Sequence, residues 1–217
     1  MKIKYLFFDF DGTVSDAKRL TEDCLISVLD DYGFDFRRRT IKKVIGSKMP
    51  EIFKQLGVGL LLLKKVRRKF WGKMVSGAKS GKIKLCVSVK PLKELKKKGH
   101  KLVVITNAHS RFTKTSLKVL GIKNLFSKIY GAEKFSTKDE LLEKLFEKFH
   151  ISPHEAVYIG DRFSDIKYAR EAGCYAVAIH NKCSWSSLAK MKKEKPDFIV
   201  KDFYELRKVV RGLENAE

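Results

Sequence analysis

Four short stretches of this 217-residue chain carry side chains able to do chemistry together. The first is Asp9-Phe10-Asp11-Gly12-Thr13, two carboxylates one residue apart behind the apolar run Ile3–Phe8. The second is Thr106-Asn107, the third Ser136-Thr137-Lys138, and the fourth Gly160-Asp161-Arg162-Phe163-Ser164-Asp165. Ionised carboxylates are costly to hold close together away from water, so Asp9, Asp11, Asp161 and Asp165 need a compensating charge. A hard divalent cation with oxygen ligands is the natural one, and Mg²⁺ is typically held by a few carboxylates with water and phosphate oxygens. Thr106, Lys138 and loop N–H groups would then face an anion, which makes this a site for a phosphoryl group. Each signal alone is weak, since Asp-x-Asp arises by chance and either Asp161 or Asp165 can cap the helix that follows. The set, in order, each just after a strand or at a helix start, is what chance does not explain.

The elements that must position these residues alternate. Ile3–Phe8, His100–Ile105, Lys128–Tyr130, Ala156–Ile159, Tyr175–Ile179 and Phe198–Val200 are strand-like. Lys90–Lys98 is a helical pattern ended by Gly99, and Ser110–Leu120 one ended by Gly121 with Ser110 as its expected cap. Thr137-x-x-Glu140 and Ser152-x-x-Glu155 read as capping boxes, and Asp165–Ala172 is helical up to Gly173. Strand–helix alternation predicts an α/β fold with a Rossmann-like, doubly wound parallel sheet, which binds ligands at the carboxyl ends of its strands. All four chemical stretches lie at or just beyond such ends.

From about Ser15 to Ser80 the rhythm breaks. Thr21–Tyr32, Thr40–Ile45, Met49–Leu56 and Leu60–Val75 suggest four helices and no buried strand. They predict a small all-helical domain inserted after the first strand, residues 15–82, with a catalytic core of residues 1–14 and 83–217. Ser76–Lys82 is expected to be the return hinge, Gly57–Leu63 part of the insert's core, and Phe70 and Trp71 packing residues.

Composition narrows the class. Hydrophobic residues are 44% of the chain, enough for a sizeable core. Lys and Arg number 47 against 25 acidic residues, a net charge of +22. This charge suits either a solvated lysine-rich surface or attraction to polyanions, and because it is spread along the chain the first reading is preferred. Cys24, Cys86, Cys174 and Cys183 form no metal or disulfide spacing, which suggests a reducing, cytoplasmic setting. The short N-terminal apolar run, ending in two aspartates, is unlike a signal peptide, and no run is long enough to span a membrane. Oligomeric state is not legible.

Asp-Phe-Asp-Gly-Thr, the Thr106-Asn107 strand end, Lys138 and Gly-Asp-Arg-Phe-Ser-Asp resemble, in order, the four motifs of the haloacid dehalogenase superfamily. With the helical insert, the whole chain is similar to the phosphoglycolate phosphatase and beta-phosphoglucomutase-like branch. The resemblance implies Asp9 as nucleophile and Asp11 as general acid and base, with Thr106, Asn107 and Lys138 on the phosphate. It implies Mg²⁺ held by Asp9, Asp161, Asp165 and the backbone carbonyl of Asp11. In that branch the loop matching Gly46-Ser47-Lys48 faces the active site, so these three are candidate specificity residues. Asp11 argues for phosphoryl chemistry rather than carbon–halogen cleavage, and Thr13, where mutases more often carry Val, leans towards hydrolysis. The expected activity is a Mg²⁺-dependent phosphatase for a small phosphate ester. The alternatives are a phosphomutase with the same machinery and, third, a basic nucleic-acid-binding protein on this fold.

Overall fold

The structure is a computed structural model that describes residues 2–45 and 48–215, so the candidates Gly46 and Ser47 lie outside the described residues. The chain runs β1 (Tyr5–Phe8), β2 (Ser15–Asp16), α1 (Lys18–Asp30), α2 (Arg38–Val44), α3 (Met49–Gln55) and α4 (Leu60–Lys79). It continues through β3 (Lys84–Leu85), α5 (Lys90–Lys97), β4 (Lys101–Ile105), α6 (Ser110–Val119), β5 (Lys128–Tyr130) and α7 (Lys138–Phe149). It closes with β6 (Ala156–Gly160), α8 (Phe163–Glu171), β7 (Tyr175–Ile179), α9 (Leu188–Lys193), β8 (Phe198–Val200) and α10 (Phe203–Asn215).

Six strands form one parallel sheet in the order β5-β4-β1-β6-β7-β8, the Rossmann-like doubly wound arrangement. The chain builds outward from β1 through β4 to β5, then crosses back to add β6, β7 and β8. The reversal places the crevice at the carboxyl end of β1, between its neighbours. β1 is buried on both faces, as a central parallel strand must be. Leu6 and Phe8 join the core on one side with Phe126 and Phe203, and Phe7 joins the core on the other with Phe146.

Four helices occupy the expected stretch, and their apolar stripes meet. Leu25, Val28, Leu29, Ile41, Ile52, Phe53, Phe70 and Met74 are buried and continuous with the core on one sheet face. Phe53 and Phe70 meet edge to face, with ring centroids 6.0 Å apart.

Several expectations need correction. Helix α4 does not end at Val75 but continues to Lys79, because its last turn still packs, with Gly77 and Ala78 buried and Gly77 against Leu20. The hinge is therefore shorter than Ser76–Lys82 and passes into β3. That strand pairs antiparallel with β2, a two-stranded ribbon where no strand was expected. Gly57–Leu63 is not uniformly core: Val58 is buried, but Leu60 and Leu61 are 84% and 95% exposed, because they stand at the start of α4 off the stripe of Val66, Phe70 and Met74 that packs inward. At α6 the cap is His109, whose Nδ1 accepts from Arg111 N (3.1 Å), and Ser110 sits in the first turn with its hydroxyl on Glu133. Thr137 precedes α7 without capping it, and its hydroxyl oxygen is buried without a partner. Glu155, by contrast, accepts from Ser152 N as expected (2.9 Å). All four cysteines are buried free thiols. No described helix is long and apolar enough to cross a membrane.

Candidate active site

The site starts where β1 stops. Strand alternation directs Phe10 into the core, where it is fully buried and its ring centroid is 6.3 Å from that of Phe112, while Asp9 and Asp11 share the other parity. Asp9 is buried, and its N–H donates to Ile159 O in β6 (2.9 Å). Asp11 accepts from the Ser15 hydroxyl (3.1 Å), four residues on in the tight turn that Gly12 closes. Gly12 has φ +95°, and a side chain there would run into the Asp161 carboxylate and the Trp185 ring. The Thr13 hydroxyl donates to Asp161 Oδ1 (3.2 Å), joining the first stretch to the fourth.

Lys138 joins the rest. It heads α7 and is 2% exposed, and its Nζ lies 2.8 Å from Asp9 Oδ1 and 2.6 Å from Asp165 Oδ1. Asp161 ends β6 with no solvent exposure, and its Oδ2 accepts from Trp185 N (2.7 Å). Asp165 Oδ2 accepts from Arg162 N (3.0 Å). Gly160 lacks a side chain where one would collide with Asp165. Thr106 ends β4 buried, its Oγ1 accepting from Ala108 N (3.1 Å), so the hydroxyl proton remains available for an anion. Asn107 lines the same crevice as Asp9, Asp11, Thr106 and Lys138, a space of about 60 Å³. Thus Asp9, Asp11, Thr106, Asn107, Lys138, Asp161 and Asp165 all gather at one end of the sheet.

The electrostatics of the cluster are unbalanced. Burial raises the pKa of Asp9 despite the pull of Lys138. Burial and the neighbouring Asp9 raise Asp11 to about 7, and burial holds Asp161 well above the ordinary carboxylate range. For Lys138 burial works against the charge, but Asp165 and Asp9 outweigh it and hold the ammonium well above its usual value. One lysine does not neutralise three buried carboxylates. Oxygens of Asp9, Asp161 and Asp165 lie within 4.8 Å of one another, an all-oxygen donor set that fits a hard divalent cation such as Mg²⁺. The Asp11 carboxylate is not in this group, and no N–H is bonded to its carbonyl among the described residues.

The helical side of the crevice is apolar apart from Thr21 of α1. Ile45, Met49, Ile52, Phe70, Trp71 and Met74 line it. Trp71 is therefore more than packing, although its ring does lie against Phe70, His109 and Phe112. Lys48, the described member of the three candidate specificity residues, is engaged by the core. Its Nζ donates to Phe135 O (2.7 Å) and to Ser136 O, in the loop that leads to Lys138. Three more residues stand at the site, and of these only Arg162 lies in a stretch that the sequence marks. The Tyr158 hydroxyl, buried in β6, donates to Ile105 O (3.2 Å), and its ring lies 5.4 Å from Lys138 Nζ. Trp185 reaches the site from the loop after β7, and Arg162 lies over its ring with 4.8 Å from the guanidinium carbon to the centroid. Strand and loop positions of this kind show no period or spacing that would mark them.

A family model described as Haloacid dehalogenase-like hydrolase matches residues 6–179, from the start of β1 to the end of β7. The chain belongs to this family. As a haloacid dehalogenase-like hydrolase it is an enzyme, and its named relatives are phosphatases. A Caldanaerobacter subterraneus protein, named provisionally as the pyrophosphatase PpaX, is 27% identical over 100% of this chain and 99% of its own. A phosphoglycolate phosphatase of Mannheimia succiniciproducens is 33% identical over 55% of this chain and 54% of its own. Among solved structures, a Haemophilus somnus protein described as a predicted phosphoglycolate phosphatase superposes with a TM-score of 0.83. It covers 96% of this chain and 98% of its own at 24% identity, a likeness of fold.

Proposed function

We propose that this hydrolase is a Mg²⁺-dependent phosphatase that cleaves a small phosphomonoester through an aspartyl-phosphate on Asp9. The observation that carries the reading is Lys138 bridging Asp9 and Asp165 inside a buried, oxygen-only carboxylate cluster beside Asp11. Asp9 attacks phosphorus, and the bond from phosphorus to the leaving alcohol breaks. Asp11 gives that alcohol its proton, a role suited to a carboxyl that burial raises to about 7. Water then attacks the aspartyl-phosphate, passes its proton to Asp11, and releases inorganic phosphate and the Asp9 carboxylate. Thr106 Oγ and the Asn107 N–H hold phosphate oxygens, and Lys138 offsets the charge that builds on them. Asp9, Asp161, Asp165 and the Asp11 carbonyl hold Mg²⁺, which when bound supplies positive charge to the phosphoryl oxygens.

Residues 1–14 and 83–217 act as the catalytic core in this reading, with residues 15–82 as a cap that closes over the leaving group. Free buried thiols suit a cytoplasmic location. The test is phosphate release from an aryl phosphate with and without Mg²⁺, using Asp9→Asn. The variant is expected to lose at least about 10³-fold in turnover, because no nucleophile of matched position replaces Asp9. Full activity in that variant refutes the mechanism, and transfer between sugar phosphates without net phosphate release would favour a mutase.

A further inference from the structure

Next to the phosphoryl crevice lies a second, larger cleft of about 820 Å³, and the two share Arg162, Trp185, Asn107 and Lys138 in their walls. The larger cleft is strongly cationic. Lys42, Lys43, Arg162 and Lys190 line it in addition to Lys48 and Lys138, with Glu51 as the one carboxylate in its lining. Lys48 and Lys138 are already held by carbonyls and carboxylates. Arg162 is not. Among the described residues no carboxylate lies within ion-pair distance of its guanidinium and no acceptor takes its side-chain N–H groups, although it stands next to Asp161.

Its position is nevertheless defined. The backbone is extended (φ −114°, ψ 149°), and the guanidinium lies over Trp185, a cation–π contact that restrains the side chain before any ligand arrives. Trp185 is itself pinned through its backbone N–H on Asp161. Two of the five buried, unpartnered polar side-chain atoms among the described residues belong to this wall: Trp185 Nε1 and Thr137 Oγ1. A restrained guanidinium with five unused donors suits carboxylate or phosphate oxygens, which it binds in a two-pronged fashion.

We propose that Arg162, restrained by Trp185, is the residue that selects substrates whose leaving group carries its own negative charge, as a carboxylate or a second phosphate. The inference rests on the phosphatase reading, with the scissile phosphoryl group at Asp9 and the leaving group extending past Arg162 into the cationic cleft. Trp185 is a positioning residue that acts through Arg162.

The test compares three esters at saturating Mg²⁺: 2-hydroxyethyl phosphate, with a neutral leaving group; phosphoglycolate, nearly the same in shape but with a carboxylate; and inorganic pyrophosphate. In Arg162→Ala the ratio of kcat/KM for a charged substrate to that for 2-hydroxyethyl phosphate is expected to fall about 10- to 100-fold, chiefly through KM, the range set by one or two charge-assisted hydrogen bonds. Arg162→Lys keeps the charge but not the fork and should lose part of that ratio. Added guanidinium ion should restore some of it to the Ala variant, and Trp185→Leu should raise KM for the charged esters by a smaller factor. The arm that responds, carboxylate or phosphate, identifies the anion. An unchanged ratio in Arg162→Ala, whether activity is kept or lost equally on all three esters, overturns the inference alone. A wild-type enzyme that turns over none of the three overturns the phosphatase reading with it.

Discussion

Lys138 is the residue on which the site's charge balance turns. It is buried between Asp9 and Asp165, and among the described residues neither carboxylate has another cation as near. Breaking a buried pair by removing one partner leaves the other charge uncompensated, which costs more than the pair contributes. Lys138→Met preserves much of the length and volume but removes the ammonium. It is expected to lose about 3–5 kcal/mol of stability in chelator, measured by urea denaturation. Part of that loss should be recovered when Mg²⁺ is added, because the cation takes over some of the compensation. A variant as stable as the parent in chelator would show that the Lys138 ammonium does not carry the charge balance of the cluster. Two glycines matter at the same scale. Gly12 and Gly160 allow the carboxylate loops to approach more closely than any side chain would permit, so the motif glycines are spacing devices for Asp161 and Asp165.

At the scale of elements, the helices between β2 and β3 touch the core in two ways. Apolar contact is broad: Trp71 of α4 lies against Phe112 of α6 with ring centroids 6.0 Å apart. Polar contact is local: Lys48, just before α3, donates to the carbonyls of Phe135 and Ser136. That loop ends at Lys138, so Lys48 ties the position of the helices to the position of Lys138. Burial also lowers the Lys48 pKa, as expected for an ammonium drawn out of water. Lys48→Met should speed amide exchange and proteolysis in residues 135–137 while changing global stability by no more than about 1–2 kcal/mol, the worth of a partly exposed hydrogen bond. Equal exchange in both proteins would show that the tie restrains nothing. The β2–β3 ribbon is the other connection: two residues on each strand, with Cys86 N donating to Val14 O (3.1 Å) beyond the pair.

For the molecule as a whole, a net charge of +22 coexists with a site whose buried charges are mostly negative. A divalent cation that binds only the folded cluster stabilises the fold by mass action, about 2.7 kcal/mol at a hundredfold excess over its Kd. Thermal unfolding is therefore expected to shift upward with Mg²⁺, and the shift should shrink strongly in Asp161→Asn. A shift of equal size in that variant would place the stabilising ion elsewhere. The positive exterior has a separate consequence at the same scale: it raises the local concentration of anionic esters around the crevice, an effect that salt screens.

Much of this was legible in the order of the residues. The six sheet strands, their parallel sense and the helices between them are written as local patterns, short apolar runs for the strands and a period of 3.6 for the helices, and turn and cap residues punctuate them. The seven side chains of the predicted chemistry are legible for the same reason, because strand ends and helix starts deliver them and both have local signatures. The sequence by itself thus determined the fold class and the acidic character of the site. Tertiary structure alone decided the rest. Ser15 and Leu85 pair across about seventy residues with strands too short to show a period. Trp185 reaches the site only because β7 lies beside β6, and Leu60 and Leu61 face water only because of where their helix begins. Lys48 found two carbonyls 87 and 88 residues away rather than solvent. Contacts made by distant segments have no spacing in the chain, so they become visible only when the core has packed.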